Sequence, residues 1–351
     1  MSADFASRQT MAKKKHIDEL QPATVDEHFK LILEDRSVID SKFVKVTPDD
    51  LPEWFDERLF KLGQEYYQEN LLGFATAHLA GLIAILAVPD ILEVLRYTRQ
   101  SNTVCLSFKR FSETLLLIYE LFNADMLDPN SKWFKALNAI RWKHANASKR
   151  RILQGLNGIY QKDMAITQFG FIGFVFVCPE HVGLAHGTQE QRMGFDHFWR
   201  VTGHLLGIED RINICRRTVL ETTEVCKKIA KEILVKHMED PDPEFLKLAS
   251  NAINGMWYAD VSMNVPAFFD LTYKLTGLKY KEPHGWYSYY NMKRREWLLY
   301  LCNVPYIGKV TRVIFNYTLI VTYWFLKNYP IAAWIAFGKK NSQLCPYPKI
   351  Q

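Results

Sequence analysis

Cysteine is scarce in this chain and nowhere paired. Its six cysteines, Cys105, Cys178, Cys215, Cys226, Cys302 and Cys345, are spread over 351 residues without a CxxC pair, which argues against a zinc ribbon or a disulfide scaffold. A reducing compartment is the natural expectation. The opening sequence MSADFASRQTMAKKKHIDEL holds no apolar stretch that could act as a secretory signal, so an intracellular protein is expected. The Asn-x-Ser/Thr triplets at Asn146 and Asn316 then read as chance matches. Basic residues are scattered (Lys13 to Lys15, Lys149 to Arg151, Arg294 with Arg295, Lys339 with Lys340), and the formal charge is only +6. Without a concentrated basic stripe, nucleic-acid binding is not expected. Also missing are a GxSxG nucleophile elbow, an HExxH helix, a Walker loop, a GxGxxG fingerprint and any Glu-x-x-His pair. Hydrolase, nucleotide-dependent, dehydrogenase and di-iron readings lose their simplest support.

No hydrophobic run is a clean membrane span. Residues 71–88 are almost wholly apolar but include Thr76 and His78 and stop at Pro89-Asp90, short of the roughly 20 residues a span needs. A helix buried in a large core is the favoured reading. What the chain does have is apolar material: 48% of residues are hydrophobic and 14% aromatic, which excludes disorder over most of the length. Helical spacing recurs over 52–69, 91–98, 104–122, 133–151, 161–177, 189–207, 213–238 and 244–277, the last interrupted near Pro266. Thr47-Pro48-Asp49-Asp50 carries a helix-start signature. Residues 1–45 read as a flexible lead-in, 46–310 as one helical domain and 311–351 as an aromatic terminal helix. That last part, with Trp324, Tyr329 and Trp334 beside lysines, suits a membrane-interface helix or a terminal helix closing the core.

The candidate chemistry is histidine and arginine on apolar helices. Arg141 and His144, three apart, share a helix face, as do His197 and His204, seven apart. Arg110 and Thr114 form a further pair four apart. A lone buried histidine is usually structural, and Arg141 could pair with Asp125 or Glu120. Imidazoles on two apolar helices, with arginine and glutamine nearby, raise the case for a pocket, and a neutral imidazole is also what haem iron takes as an axial ligand.

Four segments in order, WFKALNAIRWKHA (133–145), YQKDMAITQFGF (160–171), HFWRVTGHLLGI (197–208) and NVPA (264–267), resemble the family uniting the endoplasmic-reticulum-bound oxygenase MpaB with the rubber oxygenases (latex-clearing proteins). The resemblance covers roughly residues 60 to 280 and implies an all-α fold with a globin-like core. It further implies O₂-dependent oxidation of a hydrophobic, isoprenoid-like or lipid substrate at haem b, and an association with the endoplasmic reticulum. By that likeness Arg141 is the pocket arginine, His144 stands at a distal polar position, and Asp125 is the counterpart of an acid–base group. Arg110, Thr114 and Gln168 fall around the cofactor. The family's proximal histidine belongs to the helix matching 161–177, where this chain has none, so His204, or else His197, would have to ligate the metal. The missing histidine also keeps open a catalytically silent protein of the same fold that binds an apolar ligand.

Overall fold

A computed structural model describes residues 16–128 and 131–348; the lysines at 13–15 lie outside them. The helices are α1 (Ile17–Leu20), α2 (Val25–Glu34), α3 (Glu57–Glu69), α4 (Leu71–Ile85), α5 (Pro89–Thr98), α6 (Val104–Asn123), α7 (Lys132–Leu153) and α8 (Gln161–Val177). They continue with α9 (Gln189–Leu206), α10 (Val219–Lys228), a π-helical turn (Ile229–Leu234), α11 (Val235–Glu239), α12 (Pro243–Met256), α13 (Val265–Leu275), α14 (Trp286–Asn303), α15 (Ile307–Asn328) and α16 (Ile331–Phe337). Among the described residues the only β-type pairing is an isolated antiparallel bridge between Val38 and Tyr160. The expected all-α class is therefore what the chain adopts.

Helix starts follow the capping chemistry. Ser131, Thr103 and Thr188 each accept a backbone N–H through the side chain at the heads of α7, α6 and α9. The signature at Thr47 makes only a short 3₁₀ turn, Pro48–Asp50. The next helix begins at Glu57, capped by Asp56. Trp54 and Phe55 stay outside it because their rings pack against α9 at His197.

Two antiparallel pairings, α3 on α9 and α4 on α8, form the middle of the molecule. In each, glycine faces glycine. A Cβ on Gly194 would lie 2.7 Å from the Gly63 nitrogen, and one on Gly81 would collide with the Gly170 carbonyl. Without side chains at these positions the helices approach to backbone contact, and Phe60, Phe74, Phe122, Phe195 and Phe198 fill the flanks. Helix α4 is thus a core helix. No single helix among the described residues is long and apolar enough to cross a membrane, and α4 and α5 are bent by 93°.

The lead-in is tied to this core over its described part. Ile17, Phe29 and Ile32 are buried. Asp18 pairs with Arg200, Gln21 donates to the carbonyls of Asn213 and Cys215, and Arg216 bonds the ring of buried His28 at 3.0 Å. At the other end α14 to α16 leave many aromatic and aliphatic side chains outside.

The glycine contacts give the first prediction. Gly81→Ala should cost about 1–3 kcal/mol of unfolding free energy in urea titrations. Gly285→Ala, which meets nothing within 4 Å, should cost almost none.

Candidate functional site

A chamber of about 990 Å³ lies between α4, α5, α6, α7, α8 and α9, at the upper end of the range for small-molecule sites. Each helix contributes one face: Arg110, Thr114 and Leu117 from α6, Ile140, Lys143, His144 and Ala147 from α7, and Trp199, Gly203 and Leu206 from α9. These spacings of three and four are those of a single helical stripe. Helix α8 adds Asp163, Thr167, Gln168 and Phe171, while α4 and α5 close the apolar end with Leu82, Ile85, Ile91, Val94 and Leu95.

Several polar groups around the chamber are already spoken for. Gln168 donates to the Trp199 carbonyl (2.9 Å) and to Asn213 Oδ1 (3.2 Å), and accepts from the Ile214 N–H (3.3 Å). Its amide braces α8 against α9 and the 213–215 segment. The Thr114 and Thr167 hydroxyls donate to the carbonyls of Arg110 and Asp163 one turn earlier. Glu113 pairs with Lys143 at 2.8 Å and accepts the Cys345 N–H at 2.9 Å.

His144 is different. Its Nδ1 is buried and without a hydrogen-bond partner. Burial first, then the charges of Arg110, Lys143 and Arg141, hold its pKa down to about 4, so the ring is a neutral imidazole near pH 7. Asp163 also has no hydrogen-bonded oxygen. Burial, against the opposing pull of Lys162 at 3.6 Å, pushes its pKa up to about 6.

The expected site residues divide into two groups. Arg110, Thr114, His144 and Gln168 line the chamber. Arg141, although on the same helix as His144, is turned toward the end of α9, where Nη1 donates to the Leu205 carbonyl at 2.6 Å. A cation at a helix C-terminus complements both the free carbonyls and the dipole. That capping bond, rather than an ion pair with Asp125 or Glu120, is its contact.

His197 and His204 do share a face, as their spacing requires, but it is the face turned away from the chamber. Trp54 packs edge-on against both rings, with centroids 6.0 and 5.6 Å away, and the Arg200 guanidinium covers the same indole at 5.5 Å. His197 Nε2 accepts the Asp56 N–H at 2.9 Å, and His204 Nδ1 bonds Asp210 at 2.7 Å. Placing the iron ligand on either ring would put it outside the chamber. Asp125 is exposed in the loop after α6, where it accepts the Leu127 N–H at 2.9 Å. Asp163, Lys143 and Trp199, by contrast, line the chamber without having been singled out. Asp163 was signalled by an acid in the first turn of an otherwise apolar helix.

All-helical, with a large chamber enclosed by α4 to α9, is the class this architecture defines. Latex clearing protein, solved in its closed state, is similar to it. The superposition has a TM-score of 0.51 at 15% sequence identity and covers 78% of this chain and 76% of that one. The likeness is one of fold, the rubber-oxygenase fold. No family model and no curated protein matches the chain.

The depressed pKa of His144 has a sign that can be checked. An ordinary histidine titrates near 6.5, so between that value and about 4 the unfolded chain takes a proton that the folded chain refuses. Stability is therefore lost as pH falls through this window. His28, His78 and His197, lowered in the same direction chiefly by burial, add to the loss. Urea unfolding of wild type and His144→Gln should show a smaller drop between pH 7 and pH 5 in the variant (values chosen to bracket the imidazole range). An equal drop would mean the ring is not shielded.

Proposed function

We propose that the protein is an oxygenase of the MpaB and rubber-oxygenase type, acting with O₂ on a hydrophobic, isoprenoid-like or lipid substrate held in the α4–α9 chamber. The observation that carries this reading is a neutral imidazole, His144, in the wall of a large chamber of mixed apolar and cationic lining, with a buried nitrogen that bonds to nothing in the protein. The residues suit haem b better than a bare metal ion. Among the described residues there is no group of three or more His, Cys, Asp or Glu that could hold an ion, whereas haem needs one imidazole, apolar walls and cations for its propionates. His144 would hold the iron, and Arg110, Lys143 and the rim cations would face the acid groups. When bound, haem b would supply the iron at which O₂ is activated.

The remaining roles belong to the protein's own side chains. Leu82, Ile85, Ile91, Val94, Leu95 and Phe171 give an unreactive chain a dry surface. The Asp163 carboxyl, poised near neutrality, can hold or release a proton at the chamber wall. Arg141 acts indirectly, fixing the end of the helix that carries Trp199 and Gly203.

A second reading, a catalytically silent protein that stores an apolar ligand, is favoured by one observation: Gln168 on α8 is saturated by protein partners and that helix has no histidine. Absorbance and iron content separate the two. Under the oxygenase reading, protein supplied with hemin develops a Soret band that His144→Ala abolishes or shifts, while His197→Ala and His204→Ala keep the band and lose stability. Protein that ignores hemin leaves the storage reading.

Membrane association rests on the C-terminal helices. Along α15 the side chains of Val310, Val313, Ile314, Tyr317, Val321 and Trp324 form one exposed stripe, and Trp286 and Tyr306 are 83% and 93% exposed. Arg294, Lys309 and Lys340 are charged residues of the same region. Aromatic and aliphatic side chains beside cations fit the interface of an anionic bilayer, such as the cytoplasmic face of the endoplasmic reticulum. The full chain should co-sediment with phosphatidylserine-containing vesicles, and Ile314→Ser with Trp324→Ser should release it. Wild-type protein left in the supernatant would refute this docking.

A further inference from the structure

The chamber is strongly unbalanced in charge. Six cationic side chains line it, Arg96, Arg99, Lys109, Arg110, Lys143 and Arg150, against two carboxyls, Glu113 and Asp163. Glu113 is consumed by Lys143 and the Cys345 N–H. Asp163 faces Lys162. Nothing is left for Arg110: among the described residues its guanidinium makes neither an ion pair nor a hydrogen bond. Surrounding protein lowers its pKa to about 10 through desolvation, and its side chain lines the chamber.

A half-buried, desolvated cation without a counter-charge is costly to fold around. The polar accounting points the same way. Apart from the Asp163 oxygens, the buried chamber atoms without a partner are the Trp199 indole N–H and His144 Nδ1, and the Arg110 guanidinium stands unpaired beside them. The same wall carries Leu82, Ile85, Leu86, Ile91, Val94 and Leu95, which offer only dispersion contact. The lining therefore suits a ligand that joins an anion accepting hydrogen bonds to a hydrocarbon body.

We propose that the chamber ligand carries a carboxylate on a large apolar body, and that Arg110 is the residue that binds this acid group. The inference rests on the chamber being the ligand site, as in the proposed function, but not on oxidation taking place there. A planar guanidinium can grip a carboxylate through two N–H groups, which a lysine at the same place could not reproduce. The carboxylate has two sources, a long-chain acid as substrate or the propionates of haem itself.

The test compares acids with their esters on the intact protein. Palmitate, methyl palmitate, hemin and hemin dimethyl ester are titrated into wild type, Arg110→Met and Arg110→Lys, with calorimetry for the lipids and absorbance for the porphyrins. Palmitate binding about tenfold or more tighter than its ester in wild type, the yield of a charge-assisted hydrogen bond, with the preference lost in Arg110→Met and partly kept in Arg110→Lys, supports an acid substrate. The same pattern confined to the hemin pair supports the cofactor as source. Equal affinity for acid and ester in both pairs, or a preference that survives Arg110→Met, overturns the proposal. Because Arg110→Met removes an unpaired, partly desolvated charge, the ligand-free variant should melt at or above the wild-type temperature, so loss of binding would not reflect unfolding. Palmitate selectivity in protein that never takes up hemin would sink the oxygenase reading and leave this one standing.

Discussion

Backbone contact between helices sets the terms for the rest of this molecule. Where Gly63 meets Gly194 and Gly81 meets Gly170, α3 and α9, and α4 and α8, come closer than any side chain would permit. Dispersion forces fall steeply with distance, so close approach multiplies the contacts made along both helices. It also fixes rotation: a helix held at a glycine cannot turn to present another face. The orientation of α9 follows from this, with Trp199 and Gly203 toward the chamber and His197, Arg200 and His204 toward Trp54. The chamber opens where α5, α6 and α7 stand off from that locked group.

Much of the fold was legible because helical periodicity and capping are local. Residues 104–122, 161–177 and 189–207 were bounded almost to the residue, since Thr103 and Thr188 announce their helices and Gly207 ends the third in a left-handed cap. The start of α3 was less readable. Trp54 and Phe55 fit its apolar pattern, but their tertiary partners on α9 pull them off the helix.

The site was half legible. Arg110, Thr114, His144 and Gln168 could be picked out as polar residues on apolar faces, and they do line one chamber. Spacing shows which residues share a face but not what that face meets. His197 and His204 obey their spacing and still look away from the chamber. Arg141 and His144, three apart, diverge because a long guanidinium reaches a helix end that an imidazole cannot. Asp163 escaped notice because a first-turn acid is ordinary at a helix start, and only its burial makes it unusual.

The contacts of the segment before α3 bear on where this protein's cooperative unit begins. Composition alone would draw the boundary at residue 46. A chain cut there would strip Asp18 from Arg200, Gln21 from the turn at Asn213 and His28 from Arg216. Arg200 and Arg216 are both nearly inaccessible to solvent, so Arg200 would lose its paired carboxylate, and Arg216, still 3.6 Å from Glu221, would lose its other polar partners. Trp54 would keep its two imidazoles but lose the cation that Asp18 steadies above it. The first α-helices are thus part of the packed unit, and Asp18 is a counter-ion of the helix behind the chamber. A shortened protein should be judged by its solubility and cooperativity of unfolding before its activity is judged at all.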